Sequence, residues 1–533
     1  MFGFGKKEMI ALINSYWPKS HKSSRNMEKI IEDYKIIKDR EKEDFYLTEQ
    51  IYEDLSISEV YKQIDRTNSS PGESMLMHMI NTPTFNKEEL VKRDKLIDSI
   101  KNNNKLRDVL NYLFFDLNRE GKREILSFLL EDKKINKLKE ILYFIIGSLP
   151  VLFLILGVLL NPTYLVGIPA VYIFNIYIHY EVEAKYELAN IPYLNSMMKT
   201  IKKLSNIKHE EFKELREEAE IIYNKVRDLN KELFFMVRND SIDSLVDLVF
   251  LIFLLQERQY YKFIKKLPRF REGLYEVYKF IGKVDAYCSI AALREDLEYY
   301  SKPVFKDKKE IVIEDGYHIL LEKPIANSIK VDKTGAIITG SNMSGKSTFL
   351  KMIALNCLFA QTIYTCTARS YEGDLFYIMT SLNPKEDIFN NTSYYLGEAK
   401  AILNIIEQHK QGKNIICFID EIFRGTNPLD RISASRALLK YFHKEDMLCL
   451  ISTHDIEITQ SFEGIYNFYH FEDDVSKEKG LIFDYKVKTG IGTKSNAIKL
   501  LEYLGYPEYI TNESNNTLRE LRNKLIKKEN LNG

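Results

Sequence analysis

The sequence Thr339-Gly-Ser-Asn-Met-Ser-Gly-Lys-Ser-Thr348 decides the fold of the C-terminal part of this chain. It fits the pattern G-x-x-x-x-G-K-[ST], follows a β-rich run at 336–339 and precedes an apolar helical run at 349–358. In a strand–loop–helix context, the two glycines allow a tight turn whose backbone N–H groups surround phosphates. The stretch therefore predicts an α/β domain with a nucleotide-binding loop.

Each position of this loop has an expected role. Lys346 places a point charge near the β- and γ-phosphates, and the Ser347 hydroxyl is suited to Mg²⁺. The backbone of the loop surrounds the phosphates, so we expect the whole motif to bind the nucleotide. Its residues are Gly340, Ser341, Asn342, Met343, Ser344, Gly345, Lys346, Ser347 and Thr348.

Two downstream runs supply the other groups that hydrolysis requires. Ile415-Ile-Cys-Phe-Ile-Asp-Glu421 predicts a buried strand ending in two acids. Asp420 can hold Mg²⁺, and Glu421 can orient or deprotonate the attacking water. After a strand-like run at 447–452, His454 can sense the γ-phosphate and donate a hydrogen bond to it. We predict an ATP- and Mg²⁺-dependent hydrolase whose catalytic residues are Lys346, Glu421 and His454.

These motifs resemble those of the MutS DNA mismatch-repair ATPases, a branch of the ABC-type ATPases. The resemblance is carried by residues 339–348, by Asp420-Glu-Ile-Phe-Arg-Gly-Thr-Asn-Pro-Leu-Asp430 and by Ser452-Thr-His-Asp455. Residues 391–398 resemble the S-T-F-x-x-E stretch of that family, which implies that Ser393 reaches the nucleotide of the opposite subunit. The resemblance also implies that residues 424–430 cross a dimer interface, so that each ATP site of a homodimer is composite.

The resemblance extends more loosely upstream, to about residue 40. Residues 63–72 look like the start of the family's helical core, and residues 285–303 look like the end of its lever arm. Gly316-Tyr-His318 and Asn327 match the stretch leading into the ATPase domain, although Ile319 stands where the family usually has proline. The helical core begins almost at once, so we expect neither the family's mismatch-reading domain nor its connector domain, and no assured mismatch recognition.

Composition limits the remaining function classes. A chain of 533 residues predicts two to four folding units. Lys+Arg and Asp+Glu number 76 each, so the net charge gives no argument for a nucleic-acid partner, and any DNA contact would use local patches. The five cysteines lack C-x-x-C spacing, which argues against a zinc site and against a disulfide framework.

A long uncharged stretch interrupts the helical half of the chain. Residues 141–180 contain no Asp, Glu, Lys or Arg, and Asn161-Pro162 near the middle predicts a turn between two helical arms. The first arm, Ile141–Leu160, would span about 30 Å, the thickness of the hydrocarbon core of a bilayer. The second arm, Pro162–Tyr180, is weaker because it contains Pro169, Asn175 and His179.

The charges around this stretch predict its orientation. Lysines precede the first arm, at 133, 134, 137 and 139, and the turn is uncharged, so the positive-inside rule puts both flanks in the cytoplasm. We therefore expect a membrane protein with cytoplasmic N- and C-terminal parts that contacts lipid through residues 141–180. The alternative is a buried helical hairpin inside a soluble core. Basic clusters at 199–208 and 262–271 read as solvated helix faces, with non-specific DNA contact left open.

Together these features predict an α/β P-loop ATPase domain of the ABC/MutS type. A mainly α-helical core and lever domain precedes it, interrupted by a transmembrane helical hairpin. The predicted parts are an N-terminal helical part (1–139), the hairpin (140–181), a helical lever part (182–304), the ATPase domain (305–511) and a charged helical tail (512–533).

The predicted function follows from this organisation. It is ATP hydrolysis at composite dimer sites that drives conformational change, with inherited binding of DNA, mismatched or not, left open. The alternative is a membrane scaffold or tether with an ATP-dependent dimerisation switch, which acts on a protein partner that the sequence does not identify.

Overall fold

The computed structural model describes residues 6–19, 25–119, 125–132, 137–183, 190–230, 233, 236, 244–332, 335–341, 343–383, 394–476, 480–492 and 497–532. The chain forms two compact units. The first comprises Met1–Lys42, Ile64–Met79 and Lys92–Asp296, and the second comprises Glu43–Gln63, Ile80–Val91 and Leu297–Gly533.

Fourteen described helices precede the first strand: α1 (Lys6–Tyr16), α2 (Met27–Arg40), α3 (Glu49–Asp54), α4 (Ile57–Ile64), α5 (Ser70–Asn81), α6 (Lys87–Asn102), α7 (Asn104–Asn118), α8 (Ile125–Leu130), α9 (Lys137–Leu159), α10 (Gly167–Glu183), α11 (Ile191–Leu204), α12 (Lys213–Val226), α13 (Ser244–Ile252) and α14 (Leu255–Asp296). Short 3₁₀ turns lie at Pro162–Val166, Glu210–Phe212 and Arg227–Leu229.

The later elements alternate between strands and helices: β1 (Val304–Phe305), β2 (Ile311–Gly316), β3 (Asn327–Val331), β4 (Ala336–Thr339), α15 (Lys346–Thr362), β5 (Ser370–Gly373), β6 (Tyr377–Ser381), α16 (Tyr394–Lys410), β7 (Ile415–Asp420), α17 (Pro428–Lys444), β8 (Leu448–Thr453), α18 (Ile456–Ser461), β9 (Asn467–Ser476), β10 (Gly480–Thr489), α19 (Ala497–Tyr503) and α20 (Glu508–Asn532).

The long helix α14 is the packing centre of the first unit. In its N-terminal part, buried apolar side chains recur every three or four residues, because that spacing brings them onto one side of a helix. From Val284 to Arg294 every residue is buried, so this part of the helix is enclosed on all sides. Against α14 lies α12, whose buried residues Leu215, Ala219, Ile222 and Val226 form an apolar stripe. Gly273 allows the close approach, since a Cβ there would lie 2.6 Å from Val226 Cγ1.

A buried carboxylate joins α5 to α14 within this unit. Asp285 accepts hydrogen bonds from the backbone N–H of Ser69 at 2.8 Å and from its hydroxyl at 2.6 Å. The backbone N–H of Asn68 adds a contact at 3.1 Å. A Cβ at Gly72 would lie 2.1 Å from Asp285 Oδ2, so glycine is required for this approach. The acid thus satisfies N–H donors at the start of α5 that a helix cannot satisfy itself.

The uncharged stretch forms a helical hairpin, α9 and α10, joined by the 3₁₀ turn. Asn161 begins that turn, its side chain accepting from Thr163 N at 3.0 Å. Among the described residues, one helix is long and apolar enough to cross a membrane, namely α9, and only 28% of its most apolar window is buried. The prediction of two spanning arms is therefore supported by length and composition for the first arm alone. The turn takes five residues from the second arm and leaves α10 with 17.

The second unit contains two sheets. The larger has six strands in the order β10-β9-β4-β8-β7-β6, parallel from β6 to β9, with β10 antiparallel at one edge. The smaller has the order β1-β5-β2-β3. Strands β4, β7 and β8 are buried on both sides, as their near-continuous apolar sequences predict. Their carboxyl ends lie at one edge, where ligands bind in open parallel sheets.

Residues 43–63 belong to this second unit although they lie far from it in sequence. The reason is Asp54 in α3, which is fully buried and accepts hydrogen bonds from Thr380 Oγ1 at 2.7 Å, Leu382 N at 3.0 Å and Asn383 N at 2.8 Å. These donors lie at the end of β6, an edge strand. The Asp54 carboxylate therefore accepts the hydrogen bonds of the polar groups at the end of that strand. The sequence patterns contain no sign of this pairing.

The α/β domain and the mainly helical region that precedes it confirm these two parts of the predicted fold class.

Candidate functional site

The loop between β4 and α15 depends on two glycines. Gly340 has φ of +149° and Gly345 has φ of +106°, both outside the range that other residues favour. A Cβ at Gly340 would lie 2.8 Å from Ser344 Oγ and 3.1 Å from Phe471 Cβ, so the turn also lacks room for a side chain. Gly345 directly precedes α15, which directs the positive end of that helix toward the loop.

The lysine of the loop is buried and points back onto it. Lys346 Nζ donates to the carbonyls of Gly340 at 2.8 Å and Ser341 at 2.9 Å. Burial lowers the pKa of Lys346, while Glu421 and Asp420 oppose that shift. The Oγ atoms of Ser341 and Ser344 are buried and have no hydrogen-bond partner among the described residues. Unsatisfied hydroxyls beside a buried cation fit phosphate oxygens.

The oxygen atoms expected for Mg²⁺ lie together at the ends of β7 and β8. Ser347 Oγ donates to Asp420 Oδ2, and Ser452 Oγ donates to Asp420 Oδ1. Ser452 is the register partner of Asp420 in the parallel pair. Hydroxyl and carboxylate oxygens are ligands that Mg²⁺ accepts together with substrate phosphates. No group of three His, Cys, Asp or Glu side chains that could hold a metal occurs in the described ranges.

Glu421 is held between two cationic groups. Its Oε1 lies 3.1 Å from His454 Nδ1, and its Oε2 lies 3.1 Å from Arg424 Nε. The hydrogen bond from His454 lowers the pKa of Glu421, and the same contact raises the pKa of His454. Glu421 also has φ of +56°, a conformation that costs energy for a non-glycine residue and is found at functional sites. The predicted base and the predicted sensor thus form one hydrogen-bonded pair.

Several of these groups, including Arg424, line a cleft of ≈ 680 Å³ within the second unit. The phosphate-binding end contains Lys346, Ser347, Asp420 and Glu421. The lining also includes side chains from β3, β9, β10 and the segment between β2 and β3, namely His318, Leu321, Lys323, Ile325, Asn327, Phe471 and Tyr485. Of these, Phe471 and Tyr485 lie against the phosphate loop at Gly345. Burial lowers the pKa of His318 to about 4, so its imidazole is neutral near pH 7. A mostly apolar pocket with a neutral imidazole is suited to a planar aromatic base.

Two features of the site were not predicted from sequence. Glu398, in α16, accepts hydrogen bonds from the backbone N–H groups of Phe423 and of Arg424, the latter at 3.1 Å. Burial raises the pKa of Glu398 to about 7. The sequence signal that could have identified Glu398 is its position at the end of the S-T-F-x-x-E-like stretch. Glu398 thus positions the backbone of the segment that follows Glu421.

The second unpredicted feature is an ion pair between α17 and the turn after β8. Arg431 Nε lies 3.0 Å from Asp455 Oδ2, and Arg431 Nη2 lies 2.7 Å from Asp455 Oδ1. Both side chains are largely buried, with 16% and 10% exposure. A bidentate pair of this kind fixes geometry as well as charge. No spacing rule connects positions 431 and 455, so this ion pair could not be predicted from sequence patterns.

Other predicted residues differ in what can be said of them. Met343 is 82% exposed at the rim of the loop. Thr348 lines the cleft in the first turn of α15. Asn342 and Ser393 lie outside the described residues, so their assignments stay predictions.

Comparison with known proteins matches the same part of the chain. Residues 336–522 match the family MutS domain V. The DNA mismatch repair protein MutS of Caldanaerobacter subterraneus subsp. tengcongensis is 30% identical over 264 residues, which is 47% of this chain and 30% of that protein. MutS of Lactobacillus delbrueckii subsp. bulgaricus is 29% identical over 259 residues, 46% of this chain and 30% of that protein. MutS of a Geobacillus species is 27% identical over 280 residues, 50% of this chain and 32% of that protein.

The chain thus spans about a third of the length of the curated relatives it matches. The matched family segment begins with β4 and includes the phosphate loop, the acids at the end of β7 and His454. Over this domain, the chain is similar to the MutS family.

Proposed function

We propose that this protein is a membrane-anchored, dimeric ATPase of the MutS type. One observation carries the proposal: a single cleft brings together the phosphate loop, the Asp420 and Ser347 oxygens, and Glu421, which is hydrogen-bonded to His454. The family relationship supports an ATPase at the family level. We further propose that this chain itself hydrolyses ATP, is anchored in a membrane and forms a dimer.

The residues of the cleft divide the work of hydrolysis. When bound, Mg²⁺ neutralises charge on the β- and γ-phosphates. Ser347 and Asp420 would hold it. Lys346 leaves its two loop carbonyls to meet phosphate oxygens, where its charge is more favourable than against neutral acceptors. Glu421, kept ionised by His454 and Arg424, accepts a proton from the attacking water or orients it.

Replacing Glu421 with Gln tests the catalytic assignment. Gln cannot accept the proton, so turnover should fall by about a hundredfold or more, while ATP binding remains because the phosphate loop is unchanged. The matched control is Glu457→Gln, an exposed acid in α18. Turnover by Glu421→Gln equal to that of the control would contradict the proposal.

A homodimer is supported by the surface of α19 and α20. Tyr503, Leu504, Tyr506, Tyr509 and Ile510 are 41–79% exposed around the turn between these helices. Contiguous exposed apolar residues on a soluble unit mark association sites. The resemblance assigns Ser393 to the nucleotide of the opposite subunit, which requires a second chain. We therefore propose that the α19–α20 surface contributes to the dimer contact.

Membrane anchoring is supported by the chemistry of the hairpin surface. Its exposed side chains from 141 to 160 are apolar, including Phe144 at 57%, Leu154 at 51% and Val158 at 75%. The polar residues that weakened the second arm point inward. Asn175 Nδ2 donates to Ile252 O at 2.7 Å, and His179 Nδ1 lies 2.7 Å from Glu257 Oε1.

A hairpin buried in a soluble core would bury its apolar side chains and expose its polar ones. On α10, the side chains that face outward are apolar, with Ile173 at 68% and Tyr177 at 64% exposed. A surface of this kind is stable in hydrocarbon and unfavourable in water. We propose that the chain flanking the hairpin on both sides is cytoplasmic, because basic residues cluster at its base.

Membrane extraction tests the anchor. An inserted hairpin should keep the protein with the membrane pellet through high-salt and alkaline washes, with release only by detergent. Release by alkaline wash without detergent would contradict insertion. A variant lacking residues 141–180, with a short polar linker in their place, is the control and should appear in the soluble fraction.

A duplex-binding assay distinguishes an ATPase that acts on DNA from one that acts on a protein partner. Inherited DNA binding predicts that the detergent-solubilised protein binds a duplex with a steep salt dependence, with or without a mismatch. A tether acting on a protein partner predicts no such binding. The relatives named for DNA mismatch repair favour the first output at the family level.

A further inference from the structure

The outward face of α14 carries basic side chains that the ATP cleft does not use. Between Arg258 and Arg271 the sequence contains six Lys and Arg residues and no Asp or Glu. Four of the six form a basic stripe on one side of the helix, and all four are exposed, namely Lys262, Lys265, Lys266 and Arg269. Buried residues, among them Phe263, Ile264 and Leu267, occupy the opposite side.

Two contacts fix the level of the basic stripe along the hairpin. Lys265 Nζ lies 2.6 Å from Glu140 Oε1, near the start of α9. One turn further along α9, the guanidinium of Arg258 lies 4.5 Å from the centroid of the Phe144 ring. Helices α9 and α14 therefore run antiparallel here. The stripe lies beside the first turns of α9, where the exposed apolar surface of the hairpin begins.

We propose that the basic stripe binds anionic lipid headgroups at the cytoplasmic surface of the bilayer. This inference rests on the membrane anchoring proposed above. Leu138 is exposed one turn before Ile141, and from Ile141 onward every exposed side chain of α9 is apolar, so the edge of the hydrocarbon would lie at this level. A bilayer holding the hairpin brings its phosphate layer to the stripe, and basic residues within a Debye length of an anionic surface are attracted to it.

Lipid fits this surface better than a duplex does, although both present phosphates. A headgroup layer continues into hydrocarbon, so one partner satisfies the basic stripe and the adjoining apolar side chains of Ile141, Leu142 and Ile145 together. A duplex would cover the stripe and leave the apolar surface in water.

A site-specific fluorophore in the hairpin provides the test. The five native cysteines are buried, so Ile145→Cys can be labelled selectively with an environment-sensitive dye. The labelled full-length protein is reconstituted in vesicles of phosphatidylcholine and phosphatidylglycerol, with a spin-labelled quencher on one lipid or on the other. We expect quenching by both lipids, and about threefold to tenfold stronger quenching by phosphatidylglycerol at equal mole fraction in low salt.

The variant Lys262→Gln/Lys266→Gln/Arg269→Gln should abolish the preference and keep the quenching, while leaving the Lys265–Glu140 pair intact. Its matched control is Lys199→Gln/Lys202→Gln/Lys203→Gln, an exposed basic stripe on α11 with similar spacing. Circular dichroism verifies that both variants fold.

Each outcome decides between the possibilities. Equal quenching by the two lipids in the unmodified chain would overturn the lipid preference and leave the anchor standing. No quenching by either lipid would overturn both proposals. Duplex binding that the triple variant of α14 abolishes, without any lipid preference, would assign the stripe to DNA and overturn this inference.

Discussion

At the scale of single residues, the site is built from pairs in which one member holds the other. His454 and Arg424 hold Glu421, Glu398 holds the backbone after it, and Arg431 holds Asp455. Asp455 directly follows His454, so the Arg431 ion pair fixes the turn that carries the imidazole. An interaction of this kind acts on geometry, and small misplacements of reacting groups reduce rates steeply.

Replacing Arg431 with Ala should therefore slow turnover more than it weakens ATP binding. We expect kcat to fall by about tenfold to a hundredfold with a much smaller change in KM, because the phosphate loop is untouched. Steady-state kinetics on Arg431→Ala, Asp455→Ala and the double variant would measure this. A positioning pair predicts that the double variant loses no more than either single variant. Additive losses would contradict a shared role.

Asp285 gives a prediction about pH and stability. Burial raises its pKa from 3.8 to about 7, so the folded chain keeps a proton that the unfolded chain has released over that interval. Its contribution to stability is therefore greatest at low pH, falls as the pH rises toward about 7 and then levels off. Asp285→Asn should remove this fall, which is about 4 kcal/mol over the whole interval and about 3 kcal/mol between pH 5 and pH 8.

Trp17 provides the measurement, because it is the single tryptophan of the chain and lies in the same unit as Asp285. Urea unfolding of the detergent-solubilised protein would be followed by its fluorescence between pH 5 and pH 8. Parallel pH dependences for the wild type and Asp285→Asn would show that this carboxyl does not titrate in that interval.

At the scale of elements, the hairpin depends on a close helix contact. A Cβ at Gly147 of α9 would lie 2.3 Å from the carbonyl oxygen of Phe253, which is backbone and cannot rotate away. A Cβ at Gly157 would meet the end of the Leu165 side chain at 2.5 Å, and that side chain can move. The two glycines of one helix therefore differ in the obstacle that they face.

Gly147→Ala should destabilise the helical unit by about 1–3 kcal/mol, whereas Gly157→Ala should have a smaller effect. The reason is that α9 must shift away from the backbone at Phe253 in the first variant, while a rotamer change of Leu165 suffices in the second. Thermal unfolding in detergent, followed by circular dichroism, compares them directly. A larger loss for Gly157→Ala would mean that the tip of the hairpin, and not its base, is the tightly packed part.

At the scale of the whole molecule, the proposed composite site requires two chains. Lys346 of one chain and Ser393 of the other would complete each site. Mixing Lys346→Ala chains with Ser393→Ala chains should therefore restore activity, since each mixed dimer contains one intact site. Statistical mixing gives about one quarter of the wild-type activity from two nearly inactive parents. Activity in the mixture no higher than the average of the parents would exclude a site shared in this way.

Much of this protein was determined by local sequence. A phosphate loop needs a strand, two glycines and a helix in succession, and an acid at the end of a buried strand needs only that strand, so short patterns predicted these elements and Lys346, Asp420, Glu421 and His454. The uncharged stretch and its turn likewise predicted a hairpin. These features depend on neighbours within a few residues.

Tertiary structure decided the features that depend on distant pairing. It joined Asp54 to the end of β6, Arg431 to Asp455 and Asp285 to the start of α5. It also turned Asn175 and His179 inward, where their partners are Ile252 and Glu257. The physical reason is that a polar group buried by folding must find a partner, and which partner is near is set by how helices and strands pack.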